Sequence, residues 1–89
     1  MRHASPEDIK KIESVIIQLR GMRELRERSI GHFYYKGINV IHFHVDGESL
    51  YADIGNLRLK VDTSPVSSEN HRIVEEVREY MNQISMMKK

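Results

Sequence analysis

Cysteine is absent from this 89-residue chain, proline occurs only twice, and no apolar run exceeds four residues. Without cysteine there is no disulfide scaffold and no thiolate-ligated metal or cluster. Apolar runs this short exclude a spanning helix, which needs about 20 residues. The five glycines are isolated and form neither GxGxxG nor GxxxxGK[ST], so a nucleotide-fold enzyme is not expected. The opening residues, Met1-Arg2-His3-Ala4-Ser5-Pro6, contain no apolar h-region. No signal peptide and a cytoplasmic setting are therefore expected. Charge of one sign is also missing: fourteen Lys and Arg face thirteen Asp and Glu, for a net charge of +1. A dedicated DNA-coating protein carries a larger basic excess. Arg20, Arg23, Arg26 and Arg28 are interleaved with Glu24 and Glu27, as on a solvated helix face.

What is present, 39% apolar and 30% charged residues, suits one soluble α+β domain over residues 1–89. Ser5, Pro6, Glu7 and Asp8 make a helix start with capping-box spacing. Ile9, Ile12, Ile16 and Leu19, widened by Val15 and Met22, follow a 3.6-residue period. They predict a helix over about 6–26, with Gly21 as an alternative end. Four strands follow, at about 29–35, 38–45, 48–54 and 57–61. They are separated by Lys36-Gly37, Asp46-Gly47 and Gly55-Asn56, short turns that allow only antiparallel neighbours. A second helix over about 67–86 is capped by Ser67 or Ser68. Its apolar stripe is Ile73, Val74, Val77, Tyr80, Met81 and Ile84. The expected order is α-β-β-β-β-α, a four-stranded antiparallel meander with both helices on one face.

Parity along the strands decides which face is buried. Phe33, Ile41 and Phe43 are odd. An Asp46-Gly47 turn that pairs Val45 with Glu48 and Phe43 with Leu50 adds Leu50, Ala52 and Ile54, and Gly55-Asn56 adds Leu57, Leu59 and Val61. The other face then carries His32, Tyr34, Val40, His42, His44, Ser49, Tyr51, Asp53, Arg58 and Lys60. That assignment requires a first turn of odd length, such as a three-residue loop with Gly37 in the left-handed position. A two-residue turn at Lys36-Gly37 would send His32 to the core side.

An exposed face rich in imidazole and phenol admits four uses. The leading expectation is a small binding or interaction module that self-associates as a homodimer packed through Tyr34, Val40, Tyr51 and the histidines, since a semi-apolar patch of this width marks an interface. On that expectation a charge at Val40 or Tyr51 yields monomers. The second is a metal site, with zinc as the natural candidate. His42 and His44 stand two residues apart on one strand, about 6.6 Å at Cα. His32 is a third ligand on the neighbouring strand and Asp53 a carboxylate. The third is acid–base chemistry by a histidine pair, with Tyr51, Lys60 or Arg58 stabilising charge. Ser49, His44 and Asp53 even invite a triad, but no nucleophile elbow or oxyanion loop accompanies them. The fourth is nucleic acid, stacked on Tyr34 and Tyr51 with Arg58 and Lys60 on phosphates, against which the near-zero net charge counts.

The segment Gly31–Ile54 resembles the centre of a family of small proteins described as luciferase-like domains. The matching residues are Phe33, Gly37, Ile41, His42, Phe43, His44, Gly47, Ala52, Asp53 and Ile54, and the His-x-His is the distinctive element. The resemblance implies a folded α+β unit in which His42, His44 and Asp53 face the same way. It implies no catalytic residue.

Overall fold

A computed structural model describes residues 2–62 and 70–87. The cap at Ser5 forms as the sequence implies. Its hydroxyl accepts from the Asp8 backbone N–H, and the Asp8 carboxylate accepts from the Ser5 N–H at 2.9 Å, the Ser5 hydroxyl at 2.9 Å and Arg2 Nη1 at 2.8 Å. These partners, led by the Ser5 N–H and then Arg2, hold the Asp8 carboxyl down at about 2. A carboxyl depressed on folding stabilises the protein above its unfolded value near 3.8, and that stability is lost as pH falls towards 2. We expect Asp8→Asn to cost about 1–2 kcal/mol at pH 7, allowing for solvent screening, and almost nothing near pH 2. Urea unfolding of both proteins across that range checks it. An equal loss at both pH values would assign the effect to packing.

The single first helix is replaced by two. Helix α1, Pro6–Lys10, closes with bonds from the Lys11 and Ile12 N–H groups to the carbonyls three residues back. Ile12 then leaves helical geometry at φ −123°, ψ 34°, and α2 runs over Glu13–Arg20. The break lets Ile9 and Ile12 both turn inwards with Val15, Ile16 and Leu19. Helix α2 stops at Gly21, and the expected continuation to residue 26 does not occur. Instead Arg26–Ser29 is a strand, because it has a partner in His32–Tyr35. Gly31 makes their turn with φ +78°, and a Cβ there would lie 2.8 Å from Ile9 Cδ1. Backbone conformation and the approach of α1 thus both require glycine at that position.

Among the described residues there are six strands: β1 Arg2–His3, β2 Arg26–Ser29, β3 His32–Tyr35, β4 Ile38–Asp46, β5 Ser49–Ile54 and β6 Leu57–Val61. The antiparallel order is β2-β3-β4-β5-β6. Strand β1 pairs with β4 where β3 leaves off, with Arg2 opposite Val45 and His3 opposite His44. The meander is therefore one strand longer than expected and carries an added strand beside its centre. Helix α3, His71–Met87, buries Ile73, Val74, Val77, Met81 and Ile84, as its period implies. The expected caps Ser67 and Ser68 lie outside the described residues. The apolar sides of all three helices meet Phe33, Ile41, Phe43, Leu50, Ala52, Ile54 and Val61 in one core. Tyr35 reaches across it to Ser85 Oγ at 2.6 Å.

Two turns differ from expectation in instructive ways. At the second, Asp46 pairs with Ser49 and Val45 with Leu50, so Gly47-Glu48 is the turn, not Asp46-Gly47. Gly47, with φ +63°, takes the first central position, where a II′ turn calls for glycine. The pairing moves by two residues in all, which preserves every side chain's face. At the first, Lys36 and Gly37 both have positive φ and Tyr35 pairs with Ile38, as in a two-residue I′ turn. No three-residue loop forms. His32 nevertheless stays on the open face, because β4 carries a bulge: Phe33 is opposite Ile41 and Tyr34 opposite Asn39, leaving Val40 unpaired. The extra residue restores the parity that the short turn reverses. Val40 and Ile41 both point inwards and both are 0% exposed.

Candidate functional site

The open face is built in two rows across the strands. In the first, His42 of β4 lies opposite Asp53 of β5, which lies opposite Arg58 of β6. His32, one residue before the Phe33–Ile41 pair, extends this row into β3. In the second, His44 lies between His3 of β1 and Tyr51 of β5, with Lys60 beyond. The pairing thus brings together every residue expected on this face except one. Val40 belongs to the core, and its placement among ligand or interface residues is corrected by the bulge. Tyr34 remains on the face, but its ring lies 4.9 Å under the Arg28 guanidinium. Among the described residues no hydrogen bond joins Ser49 to His44 or Asp53, so the structure offers no Ser-His-Asp relay.

His3 is the residue that sequence reading missed. Its ring centroid is 4.9 Å from that of His44, 5.4 Å from His32 and 6.2 Å from His42. A two-residue strand ahead of a helix cap leaves no periodicity to read; only its pairing with β4 sets its direction.

Asp53 is the hub. Its Oδ2 is 2.8 Å from His44 Nε2 and 3.4 Å from His42 Nε2, and Arg58 grips both carboxylate oxygens, at 2.7 and 3.1 Å. Burial alone would push the Asp53 carboxyl up. Arg58, helped by His44 and His42, overrides this and keeps it below the usual carboxylate range, hence ionised. Burial lowers His42, His44 beside it lowers it further, and the opposing pull of Asp53 is smaller. His32 is lowered by burial and then by His3 and His44. Both imidazoles are accordingly neutral at pH 7.

The tautomer of His42 follows from Asn39. The Asn39 amide nitrogen faces the carbonyls of Phe33 and Ile41 across the bulge, so its Oδ1 is the atom 2.8 Å from His42 Nδ1. A neutral His42 therefore donates from Nδ1 and carries a lone pair on Nε2. In that tautomer the lone pair faces a carboxylate oxygen 3.4 Å away. A proton on Nε2 or a metal ion between the two atoms would join His42 to Asp53. Ligand atoms bound at 2.0–2.2 Å around a tetrahedral zinc ion stand roughly 3.3–3.5 Å apart. One donor atom each from His42, His44 and Asp53 lie within 4.8 Å of one another. The outer partners that such a site needs are also in place, Asn39 behind His42 and Arg58 behind Asp53.

The molecule is thus an α+β protein with an antiparallel sheet, cored on one face and lined on the other by histidines around a buttressed aspartate. No helix among the described residues is long and apolar enough to cross a membrane. Comparison with protein-family models, with curated proteins and with solved structures returns no match for this chain.

Proposed function

We propose that the protein is a metal-binding module that holds one divalent transition-metal ion, zinc by preference of its donors, through His42, His44 and Asp53. The observation that carries this is the convergence of one donor atom each from His42, His44 and Asp53 within 4.8 Å of one another, in a cluster whose outer hydrogen bonds are already made. Imidazole nitrogen and carboxylate oxygen together suit zinc, and also iron, nickel or copper. Self-association through the same face loses support with Val40 in the core, since what remains there is chiefly polar. Nucleic-acid binding loses Arg58, which is committed to Asp53. Kinship of residues 31–54 with the luciferase-like-domain family is likewise proposed, on the His-x-His and the Ala52-Asp53-Ile54 strand.

The test is calorimetric titration of zinc into chelator-stripped, tag-free protein at pH 7.5. One ion per chain with a Kd below about 1 μM, equivalent to roughly −8 kcal/mol, is expected. No binding below about 100 μM, roughly −5.5 kcal/mol, would end the metal reading.

A further inference from the structure

We infer that the third imidazole of this centre is His3, not His32, so that the metal fastens strand β1 to the sheet. This rests on the metal reading above and adds to it a ligand from a distant part of the chain. Imidazoles bound to one tetrahedral ion through nitrogens 2.0–2.1 Å from it have ring centroids roughly 5 Å apart. The His42 and His44 rings are 4.6 Å apart, and His3 stands 4.9 Å from one and 6.2 Å from the other. His32 approaches His42 at 5.9 Å with the rings nearly parallel, 8° between planes. Parallel rings stack, whereas ligands of one tetrahedral ion converge. His32 is therefore a wall of the site, and His3, whose ring stands just outside the converging His42, His44 and Asp53 donors, would close a set of four by turning towards them. Closed four-ligand sites hold structure, whereas catalytic ones keep a position open.

Strand β1 is held lightly without an ion. It makes its ladder contacts with Val45 and His44, followed by the Ala4 N–H to Phe43 carbonyl bond at 3.1 Å, and Arg2 reaches Asp8. A bond from His3 to the metal would join that segment to the sheet centre.

Cobalt(II) titrated into the whole stripped chain at pH 7.5 reports both points, because four-coordinate cobalt absorbs visible light far more strongly than five- or six-coordinate cobalt. The wild type is expected to show the intense four-coordinate bands, and His3→Ala to bind about 10–100-fold more weakly with weak bands. His32→Ala is expected to keep the intense bands. Amide exchange at Ala4 should slow on metal addition in the wild type and not in His3→Ala. If the wild type takes up no cobalt, the metal centre itself is lost. If it does and His3→Ala keeps the spectrum and affinity while His42→Ala loses them, only the role of His3 is overturned. His3 is exposed, so its removal leaves the metal-free fold intact, which an unchanged thermal midpoint of the stripped variant checks.

Discussion

Val40→Asp should severely destabilise or unfold this protein rather than release a monomer. Val40 has no exposed surface, and it sits beside Ile41 in a bulge whose two side chains both enter the core. A carboxylate there has no partner, and an uncompensated buried charge belongs to the small class of substitutions that cost more than about 4 kcal/mol. Stability at about 0.05–0.15 kcal/mol per residue leaves a chain of this length roughly 4–13 kcal/mol in total, so at least about a third of it goes, and all of it at the lower end of that range. Val40→Ala, which only leaves a cavity, should cost about 2 kcal/mol. Tyr51→Asp, on the open face opposite His44, should fold. Circular dichroism in urea ranks the three. A well-folded Val40→Asp protein would show that the bulge does not bury this residue.

Zinc affinity should fall at least about 100-fold in both His42→Ala and His44→Ala, while stability without metal changes little. His44 Nε2 lies 2.8 Å from Asp53 Oδ2, so in the metal-free protein a proton occupies the line along which the metal would bind. Metal takes that nitrogen only when the ring proton moves to Nδ1, a change of tautomer with no net proton release. His42 needs no such exchange at pH 7, because burial and its histidine neighbours already keep it neutral and Asn39 holds its proton on Nδ1. Its contribution should fade only where the ring protonates, below the ordinary imidazole range. Calorimetric titration of zinc into each stripped variant checks the affinities, and their urea midpoints without metal check the fold. Equal affinities for wild type and His44→Ala would remove the Nε2–Asp53 pair from the centre.

The proposed site would draw its donors from β1, β4 and β5, with Arg58 of β6 behind Asp53 and without cysteine. The donors are set by cross-strand pairing rather than by sequence spacing, and only His42 and His44 lie close together in the chain. Such a centre stands or falls with the register. A shift of one residue in any strand would turn its donor to the opposite face.

The sequence by itself determined the local events. The Ser5–Asp8 cap, the apolar stripe of α3, the two-residue turn at Gly55-Asn56 and the shared face of His42, His44 and Asp53 all depend on neighbours a few residues apart. Capping, helical period and strand alternation are rules of that range. The tertiary structure decided what depended on distant partners. Arg26–Ser29 became strand because β3 lay alongside it, although its residues suit a helix equally well. The first helix broke at Ile12 to bury both Ile9 and Ile12. Val40 went inside because a tight turn reverses parity and a bulge, bridged by Asn39, reverses it again. The adjacent Val40-Ile41 pair, which breaks the alternation of β4, was its only trace in the sequence. His3 joined the histidine cluster solely through pairing with His44, some forty residues further along the chain. Local periodicity carries no information about such a contact, because its direction is set by the strand it meets.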